Sequence, residues 1–100
     1  MREDDDKIYS MAMKSRQLER VIKGFANHRR LDILELLQRV PELSVEEIAE
    51  RLSIGYVNAS DHIRKLAIAG LVMKRHDNKS VRHKLTPRAK VILTFCKTLE

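Results

Sequence analysis

Tyr56, Asn58, Ser60, Asp61, His62 and Arg64 crowd one short stretch of this chain, and Lys65 follows. Their types suit hydrogen bonding to flat heterocycles better than bond-making chemistry. An asparagine amide matches the N6/N7 edge of adenine, and an arginine fork matches the O6/N7 edge of guanine. Asn58, Tyr56 and Arg64 are therefore candidate base contacts, and Ser60 is a candidate phosphate donor. His62 reads equally well as a packing or a phosphate residue. No nucleophile or acid is patterned with it, which argues against a general base. Asp61 is the misfit, because a carboxylate repels phosphate. Three roles fit it: accepting from cytosine N4, pairing with Arg64 or Lys65 at i+3 or i+4, or limiting non-specific attraction.

A second basic group follows: Lys74, Arg75, Lys79, Arg82 and Lys84. Lys79 and Arg82 are its better phosphate candidates. Arg30, near the start of an earlier helix, reads as structural. Metal chemistry finds little support. His28, His62, His76 and His83 fall on four different elements, and His76 could at most approach His83 across a hairpin. Cys96 is the single cysteine, which excludes an internal disulfide and a cysteine cage. It reads as a buried apolar residue. No metal, cofactor or catalytic residue is expected. Without a phosphate-cradling glycine loop, an enzyme is improbable.

The charge is unevenly distributed. Residues 1–50 hold 9 Lys/Arg against 11 Asp/Glu, whereas residues 51–100 hold 11 against 3. A basic half on a small domain is the electrostatic footprint of a polyanion binder. The chain has 4 aromatic residues in 100 and no Trp, too few for a platform that stacks single-stranded bases. No apolar run approaches the ~18 residues that span a bilayer. The acidic start resembles no targeting peptide. A reducing cytoplasm is the expected setting.

These groups need elements to position them. Residues 1–7, MREDDDK, read as a mobile acidic tail, and residues 8–100 as one domain. Leu18, Val21, Ile22 and Phe25 fall on one helical face, with Ile8, Met11 and Met13 extending it upstream and Gly24 weakening its end. Asn27 caps a second helix that buries Leu31, Leu34, Leu37 and Val40, with Ile33 and Leu36 beside them, and Pro41 ends it. Ser44 and Glu47 have capping-box spacing before a short helix over 45–52. The polar stretch then forms a helix over about 56–69, buried along Ala59, Ile63 and Leu66 and stopped by Gly70. Leu71–His76 and Val81–Leu85 read as strands about a turn at Asp77–Ser80. Thr86 and Pro87 open a last helix over about 87–99. Its apolar residues cover more than one narrow face and call for a partner.

The expected fold is mainly α with a small β-hairpin: about five helices plus a two-stranded wing, a winged helix-turn-helix. In such a fold the helix 56–69 enters a DNA major groove. The basic wing, 74–84, reaches phosphate or the minor groove. The runs FANHRRLDILELL and LSVEEIAERLSIGYVNASDHIRKLAIAGLV, followed by a basic hairpin ending KLT, resemble the ArsR-type winged-helix repressors. Arg30, Leu31, Ile33 and Leu34 match that family's (D)PTRLRIL helix. Leu43, Ser44, Val45, Ile48 and Ala49 match its ELSV-x-ELA segment. Ser60, His62, Ile63, Leu66, Ala69, Gly70, Leu71 and Val72 match its recognition helix.

The resemblance implies a homodimeric, DNA-binding transcriptional regulator on a near-palindromic operator, with the first and last helices as its interface. Those helices carry Ile8, Met11, Leu18, Val21, Ile22, Phe25, Val91, Ile92, Phe95, Cys96 and Leu99. The family's metal-site residues are missing: Ser44 stands where a sensor thiol would sit, and the last helix lacks His and Asp. Two rivals remain. One is a winged helix used for protein interaction or assembly, kept open by Asp61 and by the weakly negative first half of the chain. The other is a redox- or ligand-sensing repressor.

Overall fold

Side chains that satisfy the free N–H groups of helix ends decide where this chain becomes helical. The computed structural model describes residues 3–100, with side chains from Lys14 onward. Along it run α1 (Glu3–Phe25), α2 (His28–Arg39), α3 (Val45–Leu52), α4 (Tyr56–Ile68), β1 (Val72–Asp77), β2 (Ser80–Leu85) and α5 (Pro87–Thr98). Five helices and one antiparallel hairpin make the expected winged helix-turn-helix. Asn27 Oδ1 accepts from the Arg29 and Arg30 N–H groups at 2.9 and 3.2 Å. Ser44 and Glu47 complete a reciprocal capping box at 3.1 and 3.2 Å. Thr86 Oγ1 accepts from the Ala89 N–H at 3.2 Å, with Pro87 at the first helical position.

The core gathers Ile33, Leu34 and Leu37 of α2, Ile48 of α3, and Ile63 and Leu66 of α4, closed by Leu71 and Leu85. Removing this much apolar surface from water is the main stabilising term. Leu43, in the segment between α2 and α3, forms an antiparallel bridge to His83 of β2 and joins this segment to the wing. The hairpin register pairs Val72 with Leu85, Lys74 with His83 and His76 with Val81. Asn78 takes a left-handed conformation, φ 53°, in the turn, which asparagine tolerates.

Several expectations shift. α1 begins at Glu3, so residues 3–7, read as tail, are helical. The side chains of Ile8, Met11 and Met13 lie outside the described residues. Leu31 is only half-buried, while Ile33 and Leu36 lie deep in the core, because α2 is covered on two sides. The strands are displaced to 72–77 and 80–85. Cys96 is half-buried rather than buried. Gly24 marks a close approach: a Cβ there would collide with Ala69 Cβ of α4.

Candidate nucleic-acid interface

Helix α4 divides by periodicity. Ala59, Ile63 and Leu66 are at most 1% exposed. Tyr56, Asn58, Arg64 and Lys65 are exposed, and Ser60, Asp61 and His62 lie at the margin. The cap residue, Gly55, offers no side chain to the first turn. The open N–H groups and the positive end of the helix dipole therefore face outward. Val57 is 78% exposed beside them. It was missed because it is apolar, yet it lies off the buried stripe, and that offset was its readable signal. A methyl-bearing side chain there suits the thymine methyl group.

Asp61 takes the local-pair role. Its carboxylate accepts from Arg64 Nη2 at 2.7 Å and lies 3.2 Å from Lys65 Nζ. The hydrogen bond from Arg64, then that from Lys65, holds its carboxyl below the usual value. The misfit acid thus neutralises its own neighbours, and Arg64 is held in one orientation by a residue one turn before it.

His62 is engaged from below. Arg30 Nε donates to its Nδ1 at 3.2 Å, and Arg30 Nη1 reaches the carbonyls of Lys23 and Gly24 at 3.1 and 3.2 Å. Burial first, then the neighbouring Arg30 charge, push the His62 pKa down. Arg30 is thereby a structural residue joining three helices, and its partner was not readable from spacing.

Pairing sorts the wing's cations. Arg75 Nη2 bonds Glu42 Oε2 at 3.0 Å. Arg82 donates to Asp77 at 3.1 Å and to the Glu42 carbonyl at 3.0 Å. Glu42, at a left-handed φ of 69°, was missed as an organiser, because the turn after Pro41 gives no periodic signal. Lys74, Lys79 and Lys84 stand exposed and form no ion pair among the described residues. His83 is 1% exposed, with its ring nitrogen Nδ1 2.8 Å from the Leu43 carbonyl. The carbonyl only accepts, so Nδ1 carries the proton. Burial lowers this ring's pKa. Lys74, His76, Lys79, Ser44 and Tyr56 line a cleft of about 440 Å³ between the wing and the start of α4. Among the described residues no group of three or more His, Cys, Asp or Glu is placed to hold a metal ion.

A separate groove, between α1 and α5, is largely apolar. Leu18, Val21, Ile22 and Phe25 of α1 and Val91, Ile92 and Phe95 of α5 line this groove of about 690 Å³. Leu18, Ile22, Val91, Phe95 and Leu99 are more than half exposed, and Cys96 is half-buried on the same helix. No described helix is long and apolar enough to cross a membrane.

Comparison with known proteins agrees with this layout. Residues 27–89 match the family model described as a winged helix DNA-binding domain. No curated protein gives a significant sequence match. Reduced HlyU from Vibrio cholerae is 32% identical with a TM-score of 0.77, and the alignment covers 90% of this chain and 95% of that one. The homodimeric winged helix-turn-helix DNA-binding domain of a possible ArsR-family transcriptional regulator from Mycobacterium bovis is 29% identical, TM-score 0.80, covering 88% and 82%. NolR from Sinorhizobium fredii, at 22% identity and TM-score 0.83 over 90% of each chain, shares the fold. A capped helix-turn-helix core, an exposed polar face on α4 and a lysine-bearing wing meet in one chain, and it belongs to the winged helix DNA-binding domains, among the ArsR-type transcriptional regulators.

Proposed function

We propose that this protein is a sequence-specific regulator of transcription that binds double-stranded DNA as a homodimer and acts as a repressor in the cytoplasm. The observation that carries the reading is the division of the surface. The polar face of α4 and the exposed lysines of the wing offer hydrogen-bonding and cationic groups, and the apolar groove between α1 and α5 is lined by none of the same residues. Tyr56, Asn58 and Arg64 then address base edges from the major groove, with Ser60, Lys65, Lys74, Lys79 and Lys84 on phosphates. Arg75 and Arg82 serve by shaping the wing. The groove takes a second copy of the chain; the similar domain from Mycobacterium bovis is homodimeric. Two recognition helices then stand ~34–36 Å apart, one turn of DNA. Repression as the output rests on the resemblance to ArsR-type repressors. The assembly-module alternative drew on Asp61, whose charge is answered within α4, and on the weakly negative first half of the chain.

The test is binding to random duplex as a function of salt, followed by selection from a random library. Several Lys–phosphate contacts give a log–log slope near −0.9 per contact, and selection should return a near-palindrome. Binding to random duplex that stays undetectable at low salt would sink the reading.

A further inference from the structure

The recognition helix is held by more than its buried stripe. Near its N-terminal half, Arg30 spans three helices: Nε donates to His62 Nδ1 of α4 at 3.2 Å, and Nη1 donates to the Lys23 and Gly24 carbonyls that end α1. At its C-terminal end, the Ala69 carbonyl accepts from Arg88 Nη1 at 3.0 Å, and the Gly70 carbonyl from Thr86 Oγ1 at 2.7 Å. Both of these come from the start of α5. Between them, Gly24 lets α1 approach Ala69 so closely that no Cβ fits. Besides α2, which carries Arg30, and α3, the two helices that line the apolar groove, α1 and α5, are thus also tied to α4.

We infer that Arg30 is a positioning residue for DNA reading: through His62 it fixes the angle between the recognition helix and α1, and so the placement of the two reading heads of a dimer. This rests on the proposed function above.

Arginine carries donors only and stays protonated. Its bond to Nδ1 therefore requires a neutral His62 with the proton on Nε2. A protonated His62 would point an N–H at the guanidinium, a clash of two donors and of two charges. Around the ring stand Arg29 and Arg30 from α2 and Asp61 and Lys65 from α4. Cations outnumber the acid there, and α1 adds Arg20 and Lys23, which line a pocket with Arg30 and Lys65, besides the two carbonyls that accept from Arg30. The link is accordingly closed at neutral pH and opens on acidification. Arg30 is half-buried and spends Nε and Nη1 on partners within the protein, so its loss should leave the phosphate contacts of the wing in place.

Two measurements decide it. The first needs no DNA: nitrogen-15 NMR of the histidine rings in the wild type, Arg30→Gln and Arg30→Lys. The expected result is a neutral His62 protonated at Nε2, whose titration midpoint rises in Arg30→Gln. A ring protonated at Nδ1, or a midpoint that ignores the substitution, overturns the link. The second compares affinity for a library-selected operator with affinity for random duplex, with folding of each variant checked by circular dichroism. For Arg30→Gln the ratio of the two should fall about tenfold, the scale of one hydrogen bond to a charged group, while random-duplex affinity and its salt slope hold. In the wild type the ratio should fall as pH drops below the ordinary histidine range; in the variant it should already be low and flat. Arg30→Lys keeps the charge without the fork and should behave like Arg30→Gln. Operator and random duplex weakening together, with a shallower salt slope, would make Arg30 a phosphate contact and overturn the proposal. A wild-type protein that binds neither duplex overturns the functional reading itself. In that event the NMR result separately establishes whether the link exists.

Discussion

Asp61 shows how a single acid can serve a polyanion binder. Its carboxylate holds Arg64 at 2.7 Å and Lys65 at 3.2 Å, so two cations of the proposed reading face are restrained in the free protein. Asp61→Ala should free both and add one positive charge. Random duplex should then bind several-fold tighter at low salt, with a salt slope steeper by up to about 0.9 per newly engaged phosphate. Fluorescence anisotropy at two salt concentrations reads this directly, and an unchanged random-duplex affinity would refute it. The wing gives the converse case. Lys79 is exposed and unpaired among the described residues, so Lys79→Ala should weaken all sequences equally and flatten the slope by about 0.9. Arg82, already bonded to Asp77 and Glu42, should instead affect wing stability. Sequence spacing exposed the i+3 and i+4 options for Asp61, because those neighbours share a helix. It could not rank Arg82 below Lys79, since Glu42 reaches Arg82 from 40 positions away.

The helix ends were legible at the level of elements because each is closed by residues within four positions of it. Asn27, Ser44 with Glu47, and Thr86 with Pro87 all cap as their types imply. Contacts between elements were not legible. Gly24 read as a weak point in a helix, yet its lack of a side chain admits Ala69 of α4. Gly24→Ala sets a gain in helix propensity of roughly 1 kcal/mol against overpacking that typically costs about 1–3 kcal/mol. The neighbour is a Cβ with no rotamer to change, so the clash should win. The variant should unfold at lower temperature, by about 4–8 °C for each kcal/mol lost in a domain of this size. Ala69→Gly in the same chain should restore most of the loss, since it removes the colliding atom, and such coupling is expected of touching residues. Additive losses in that double mutant, followed by thermal circular dichroism, would show that the contact is not the cause. The same junction carries the Arg30 fork, so errors there reach α4 as well as stability.

For the whole molecule, acid and assembly are the two decisive variables. His62 and His83 both titrate below their ordinary value of 6.5 in the folded chain, each chiefly through burial. Between the unfolded and folded values the unfolded chain binds more protons, so stability must fall as pH drops below 6.5 and level off once the folded rings titrate. The carboxyls of Glu47 and Asp61, both lowered from values of 4.5 and 3.8, contribute stability above those values that is lost in a separate, more acidic step. Melting temperature followed from about pH 7 to about pH 5 should therefore decline before the lowered carboxyls of Glu47 and Asp61 titrate; a flat profile would contradict the burial of the two rings. In the proposed dimer, assembly governs specificity. The groove between α1 and α5 leaves Leu18, Ile22, Val91 and Phe95 more than half exposed, an apolar surface of the kind that marks an interface. Phe95→Glu puts a charge on that surface while leaving the buried Ala89 and Leu93 of the same helix in place, so the domain should still fold. Light scattering at micromolar concentration should change from a dimer mass to a monomer mass. Operator affinity should then collapse, because each half-site must be bound alone, whereas random duplex should retain weak, salt-sensitive binding through Lys74, Lys79 and Lys84. A variant that stays dimeric, or a monomer that still selects a palindrome, would place the interface elsewhere on the surface.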